Sequence, residues 1–477
     1  MENMRIFFYG IGRFYQRRRE NLTKLRQGDT FLGFIDKRAA QCRTFDGAHV
    51  YLPEEALQEV FDAIVVTNAS FGEIKNELLH HGVVEKKILS YDAYSAKKKG
   101  AEQREYGDFH GLSGRKLLMV TVNLNYDGGT LALVHAAEAM AVHGDCVTIM
   151  APDADERLLQ EILKLPVKVC LMPALRYLSV DQMQWIRKYD ACLVNVYQNG
   201  AFAIKASKLC PTLWWLHEPS NQFCNFYSNI NQEFPELQDV RRLSHLRIAA
   251  VSKRAQANFE AYYPGRVDTI LPYCLPDSGQ YFINEPHENV TFAIIGGVYK
   301  CKAQDVFLQS VALLPQQIRE KAEFRIIGRS DGKDAFSAAV RKATAKEPRV
   351  RLCGVLNRVE MQEAFRTIDV VVCASREETM SLTITEGMMY GKICITTDAT
   401  GMADYIKSGE NGFVVPVENA AALAACMAHI IEQPERYKEM RKAARQTYEK
   451  YFTPTCFARR LTAELVQTAE AWEEARG

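Results

Sequence analysis

The sequence lacks an apolar run near the ~18 residues that would span a bilayer. It also lacks any Cys-x-x-Cys pair among its 13 cysteines, and no Cys/His cluster has zinc-ligand spacing. Cys146, Cys170, Cys373 and Cys394 sit inside apolar, strand-like runs, so buried free thiols in a reducing compartment are expected. Charge of one sign is missing. Lys plus Arg is 59 and Asp plus Glu is 58, a net +1, which speaks against a protein that wraps nucleic acid. No fixed-period repeat occurs, which excludes a solenoid. The start, MENMRIFFYGIGRFYQRRRE, lacks the order of a signal peptide, in which basic residues come first and a cleavage site later. It reads as a folded strand and turn, and the expected location is cytoplasmic.

At ~150 residues per domain, 477 residues make about three domains. Short apolar runs alternate with helical patterns almost throughout, the rhythm of strand–helix–strand units and parallel sheets. Residues 1–95 form a first α/β segment, with strands at 5–9, 31–35, 63–66 and 88–89. Residues 96–115, AKKKGAEQREYGDFHGLSGR, carry little that could enter a core and read as a linker. Residues 116–287 and 288–452 repeat the same grammar twice, and 453–477 form a last helix long enough to reach back across another domain. Pro434 and Pro454 stand as first-turn residues, with Thr453 as an N-cap.

The most informative stretch is Ser375-Arg-Glu-Glu378-Thr-Met-Ser-Leu-Thr-Ile-Thr-Glu386-Gly-Met-Met-Tyr-Gly391, directly after a strand. Ligands in open α/β sheets bind beyond strand C-termini. Glu378 falls in the loop and Glu386 about two turns later. Between them the amides of Met380, Ser381 and Leu382 open a helix, a setting that suits a diphosphate. Carboxylates on the same element suit sugar or ribose hydroxyls; two solvated glutamates are the alternative.

The Glu378-x7-Glu386 spacing, with Ser375 before it and Gly391 after it, resembles the signature of family-four glycosyltransferases. These are retaining enzymes of the GT-B fold, in which two Rossmann-like domains face a cleft. Here that pair is preceded by a small additional Rossmann-like domain. The likeness continues through Ile393-Cys-Ile-Thr-Thr, Thr400-Gly-Met-Ala-Asp404 and Gly409-Glu-Asn-Gly-Phe-Val-Val415, and covers roughly residues 117–460. It implies that Glu378 contacts the donor sugar near its reacting carbon and that Glu386 holds the nucleotide ribose. Met380, Ser381 and Leu382 would offer amides to the donor.

A second site follows the strand Thr291–Ile295: Gly296-Gly297-Val-Tyr-Lys300-Cys-Lys302-Ala303. The family usually has Gly-Arg here and Lys-Gly five residues on, two cations that neutralise the diphosphate leaving group. Lys302 matches the lysine. Gly297 stands at the arginine and Ala303 at the glycine, with Lys300 as a candidate replacement charge or an ordinary surface lysine. A third feature, Asp127-Gly128-Gly129-Thr130, opens a helix after a strand and would line the cleft. A fourth, His217-Glu218, ends the strand Thr212–Leu216; the resemblance puts a histidine near the reacting sugar, and Glu218 is the neighbouring candidate for acceptor contact. Trp214 and Trp215 must point to opposite faces of that strand. Asp153-Ala-Asp155 has the form of a metal-binding DxD but reads as a loop and helix cap, so no metal and no cofactor beyond the nucleotide-sugar donor are expected. In the first segment Gly10-x-Gly12 is followed by Tyr15 where a dinucleotide motif wants a third glycine, and Asp36 stands where a ribose-binding acid would. A scaffold or protein-contact role, rather than live cofactor binding, is the reading adopted for that segment.

The leading functional reading is a retaining sugar transferase of cell-surface polysaccharide or glycoconjugate synthesis. Its partners would be a nucleotide sugar and a saccharide, lipid-linked or protein acceptor, with no nucleic acid. Peripheral contact with the inner face of a membrane, where Arg17-Arg-Arg19 would meet anionic lipid, stays open, as does self-association. A sugar-nucleotide epimerase, a non-catalytic scaffold subunit and, more distantly, a dehydrogenase on Gly10/Gly12 are the alternatives.

Overall fold

The computed structural model describes residues 3–100, 103–279, 289–332 and 334–476. The proposed boundary at 287/288 lies outside the described residues. Near-continuous apolar stretches such as RIFFY, KLLMV, VTFAII and VVVC are buried along almost their whole length. Strands of that kind need helices on both faces, and the outcome is a set of mostly parallel sheets.

The first sheet holds β1 (Arg5–Tyr9), β2 (Thr30–Ile35), β3 (Thr44–Phe45), β4 (Ala48–Tyr51), β5 (Ala63–Val66) and β6 (Ile88–Ser90), in the order β3-β4-β2-β1-β5-β6. The second holds β7 (Arg104–Tyr106), β8 (Lys116–Val120), β9 (Cys146–Ala151), β10 (Lys168–Leu171), β11 (Ala191–Asn195), β12 (Thr212–Leu216), β13 (Leu246–Ala250) and β14 (Thr269–Ile270), in the order β14-β13-β12-β11-β8-β9-β10-β7. The third holds β15 (Val290–Ile295), β16 (Ala322–Ile327), β17 (Val350–Gly354), β18 (Val370–Cys373), β19 (Ile393–Thr397) and β20 (Phe413–Val415), in the order β17-β16-β15-β18-β19-β20. All pairings are parallel except β3 with β4 and β7 with β10.

The linker reading of 96–115 is corrected in part. The helix Tyr91–Lys99 enters it, and β7 pairs antiparallel with β10 at the edge of the second sheet. Arg104 and Glu105 are exposed there. A charged edge strand discourages pairing with other chains, which is why its sequence looks like a linker.

Each sheet has a switch point where the strand order reverses, and ligand crevices form there. In the second sheet it lies between β8 and β11, and in the third between β15 and β18. Three of the stretches singled out from sequence, those at Asp127, Gly296 and Ser375, follow β8, β15 and β18, and His217-Glu218 follows β12, the neighbour of β11. The closing helix, Pro454–Glu474, is capped by Thr453 Oγ1 and returns to the second unit. Its Glu464 pairs with Arg247, and Trp472 Nε1 donates to the Ser207 carbonyl. Trp214 and Trp215 do face opposite sides, but both are buried, donating to the carbonyls of Val196 and Leu271.

Candidate active site

The turn after β18 gives four consecutive residues four different tasks. Ser375 Oγ donates to Glu378 Oε2 at 3.0 Å. Arg376 reaches back to the Lys300–Asp305 loop. Glu377 crosses to the second unit, accepting from the backbone N–H and hydroxyl of Ser220 and from Asn258 Nδ2. Glu378 receives Lys302 Nζ at 2.7 Å on each carboxylate oxygen. Burial alone would lower the Lys302 pKa; the Glu378 carboxylate more than reverses this and holds it above its usual value. Two residues from the segments that follow β15 and β18 thus meet as an ion pair at the switch point.

The helix Leu382–Met389 begins next, with Ser381 Oγ accepting from Ile384 N. The N–H groups of Met380, Ser381 and Leu382 have no acceptor among the described residues. They lie at the positive end of the helix beside Lys302 and Glu378, a setting suited to an anionic oxygen. Met380 and Ser381 are buried side chains, so their part is played by backbone. Glu386 lies one turn into the helix. Its surroundings strip it of water and push its pKa up to about 7. No hydrogen bond to its carboxylate is present among the described residues, which leaves both oxygens open to hydroxyl donors.

Gly296 has φ +138, a conformation that favours glycine, and lies against the Lys302 stem. At Gly297 a Cβ would meet the Tyr299 ring at 2.4 Å, so Tyr299 occupies the room that a side chain there would need. Lys300 is exposed, and its carbonyl, not its ammonium, is the part tied into the site, by Arg376.

On the facing unit, Asp127 caps the helix Gly128–Val142 by accepting from Thr130 N at 2.9 Å. Gly128 stands in open space, whereas a Cβ on Gly129 would come within 3.1 Å of Val196, and the Gly129 carbonyl accepts from Asn195 Nδ2. Thr130 does not serve as a cleft contact: it is buried, and its hydroxyl is engaged by Asp127 and the Asn123 carbonyl. Glu218 is likewise corrected. It is 5% exposed, and its carboxylate accepts from the backbone N–H of Tyr197 and His217, bracing the ends of β11 and β12. Burial raises its pKa despite those bonds.

His217 follows β12, next to the loop that follows β18. Its carbonyl accepts from Thr379 Oγ1 at 2.7 Å, and its ring sits edge-on to Trp215. Nε2 is buried with no hydrogen-bond partner among the described residues, and burial pulls the pKa down to about 3, so the imidazole is neutral near pH 7. Sequence reasoning missed Arg376, Glu377, Ser220 and Asn258. Only Arg376 and Glu377 carried a signal, their adjacency to Glu378.

Asp155 accepts from the N–H groups of Arg157 and Leu158, the helix cap expected of it. Among the described residues no group of three or more His, Cys, Asp or Glu side chains converges as a metal site. In the first unit Asp36 is taken: it accepts from Ile11 N and from the backbone and guanidinium of Arg38, leaving no oxygen turned to a ribose.

Residues 281–447 match the family described as glycosyl transferases group 1, and residues 2–89 match C2185-like, N-terminal. Among curated proteins the chain is 30% identical over 88 residues to the putative glycosyltransferase EpsD of Bacillus subtilis, 18% of this chain and 23% of that one. It is 35% identical over 79 residues to the D-rhamnosyltransferase WbpZ of Pseudomonas aeruginosa, 16% of this chain and 21% of that one. The matched stretches therefore span less than a quarter of either relative. Among solved structures it resembles Anabaena HepE in complex with UDP and glucose, at TM-score 0.60 and 17% identity over 74% of this chain and 100% of that one. Sucrose-phosphate synthase of Thermosynechococcus elongatus gives TM-score 0.58 at 15% identity over 75% and 100%. The second and third α/β units thus form a GT-B fold, and the chain carries a glycosyl transferase group 1 domain at residues 281–447.

Proposed function

We propose that the chain transfers a sugar from a nucleotide-diphosphate donor to an acceptor hydroxyl, with retention of anomeric configuration, in polysaccharide or glycoconjugate synthesis. The observation that carries this reading is the Lys302–Glu378 pair set beside the open amides of Met380–Leu382. A cation and a helix start sharing one crevice give a diphosphate both of its usual partners.

In this reading Lys302 turns an N–H to the diphosphate and stabilises the charge that builds as the glycosyl bond breaks. Such stabilisation is commonly the largest catalytic contribution. Glu378, held by Ser375 and Lys302, stands at the sugar. Glu386 accepts from the ribose hydroxyls. His217 is neutral and buried at Nε2, so it acts as a hydrogen-bond partner of the donor sugar rather than as a proton store. Gly128 and the start of its helix lie on the acceptor side. The acceptor hydroxyl attacks on the face from which the diphosphate leaves, and its proton passes to the departing oxygen.

No divalent metal is assigned a step, since Asp155, half of the DxD tripeptide, is already a helix cap. An unchanged rate in excess chelator supports this, and loss of turnover overturns it. UDP-glucose is the first donor to test, because HepE, one of the fold neighbours, is seen with it. Proton NMR of the product decides the stereochemistry: an α-linked product from an α-linked donor supports retention, and a β-linked one contradicts it. Isomerisation of the donor without an acceptor would favour the epimerase instead.

A further inference from the structure

We infer that Arg376 is the positioning residue for Lys302, acting through the Lys300–Asp305 loop; the inference rests on the transferase reading for its kinetic consequence only. Lys302 ends a short turn, Lys300–Lys302, and the next residue, Ala303, is buried with φ +53. A Cβ disfavours the left-handed region, where it crowds the following carbonyl oxygen. Nothing in the local sequence favours that shape: Ala303 caps the helix Gln304–Leu313 with no side-chain bond.

Arg376 fastens the loop on both sides of the strained residue. Its Nη1 donates to the Lys300 carbonyl, and Nη1 and Nη2 grip Asp305 at 3.1 and 2.8 Å. Its backbone N–H takes the Cys301 carbonyl at 2.8 Å, and Nε donates to Glu418 at 2.7 Å. The guanidinium is engaged on both its Nη groups and on Nε, so it does not stand in for the arginine replaced by Gly297. Its role is to hold Lys302 opposite Glu378, two residues further along its own loop. A lysine cannot reproduce that fork, because its ammonium is a single point with no fixed plane.

The test combines Arg376→Ala, Arg376→Lys, Ala303→Gly and Lys302→Ala. Hydrogen exchange of the full chain without ligand is the first readout. The amides of Lys302 and Ala303, bonded to the carbonyls of Tyr299 and Lys300, should exchange at least about tenfold faster in Arg376→Ala, with the helix Leu382–Met389 unchanged. This readout needs no activity, so it stands even where no donor is cleaved. Nucleoside-diphosphate release is the second. Arg376→Ala should lower kcat about 10- to 100-fold, with KM moving far less, and Arg376→Lys should recover only part. Glycine at 303 adopts the left-handed shape freely, so Arg376→Ala/Ala303→Gly should regain a large share of the loss. Arg376→Ala added to Lys302→Ala should cost little more. Unchanged exchange at 302–303, no rescue by glycine, or fully additive losses with Lys302→Ala would each overturn the proposal.

Discussion

Ser220 donates both its backbone N–H and its hydroxyl to the carboxylate of Glu377, the residue immediately before Glu378. The bond runs from the start of the helix Ser220–Glu233 in one unit to the loop after β18 in the other. Asn258 Nδ2 joins it and also holds the Glu218 carbonyl, while Arg254 reaches the Asp398 carbonyl. Together with Thr379 on His217, these contacts fix how the two halves of the cleft meet.

Glu377→Ala should therefore separate stability from turnover. Exposed ion and polar contacts of this kind contribute about 0–1 kcal/mol, so the melting temperature should barely move. Sugar transfer should fall several-fold, because donor and acceptor sides lose their registration. A variant with unchanged transfer at saturating substrates would contradict the role given to this crossing.

Glu218→Ala should do the opposite. It leaves the buried N–H groups of Tyr197 and His217 without an acceptor, each a loss of about 1–3 kcal/mol. Thermal unfolding should shift clearly downward while KM for the nucleotide sugar stays near wild type in the folded fraction. A variant of normal stability with a raised acceptor KM would restore Glu218 to the cleft.

The pH dependence of donor binding should report Glu386. With its pKa at about 7, the carboxylate gains a proton as pH falls through neutrality and becomes a weaker acceptor for ribose hydroxyls. Apparent donor affinity should drop up to about tenfold from pH 8 to pH 6, one pH unit being 1.36 kcal/mol. Glu386→Gln should be weaker at pH 8 and flat across the range. Because its folded pKa lies above the unfolded value, ionised Glu386 also costs stability, and that cost appears as pH rises from about 4.5 to 7. Lys392, pushed down to about 7 by burial near Asp369 and Arg441, titrates in the same window. The glutamine variant distinguishes the two: a slope that survives in Glu386→Gln belongs elsewhere.

The strands that build the crevice were legible because each is a short apolar run that must be buried on both faces. So was the Glu378-x7-Glu386 spacing, which lies within one loop and one helix. β3 and β4 were not, since each is too short to carry a pattern, and β7 was hidden by edge-strand charge. Glu218 and Thr130 were misread for one reason: sequence places a polar residue beside a cleft but does not say which way it turns. Glu218 turns to two backbone N–H groups, and Thr130 to its own cap. Arg376 and Glu377 offered only their adjacency to Glu378, because their partners lie 71 and 157 residues away in sequence, at Asp305 and Ser220. In the first unit, Asp36 sits where a ribose-binding acid is expected, yet Arg38, two residues on, closes it.

The most direct measurement is nucleoside-diphosphate release from UDP-, GDP-, ADP-, CDP- and dTDP-sugars, with envelope material as acceptor. Wild type is run beside Glu378→Ala and Lys302→Ala, with folding of each confirmed by circular dichroism. The account predicts release from one donor, lowered about 100-fold or more in both folded variants. Release that survives in both would contradict the Lys302–Glu378 site, and no release or binding with any donor would contradict the transferase itself.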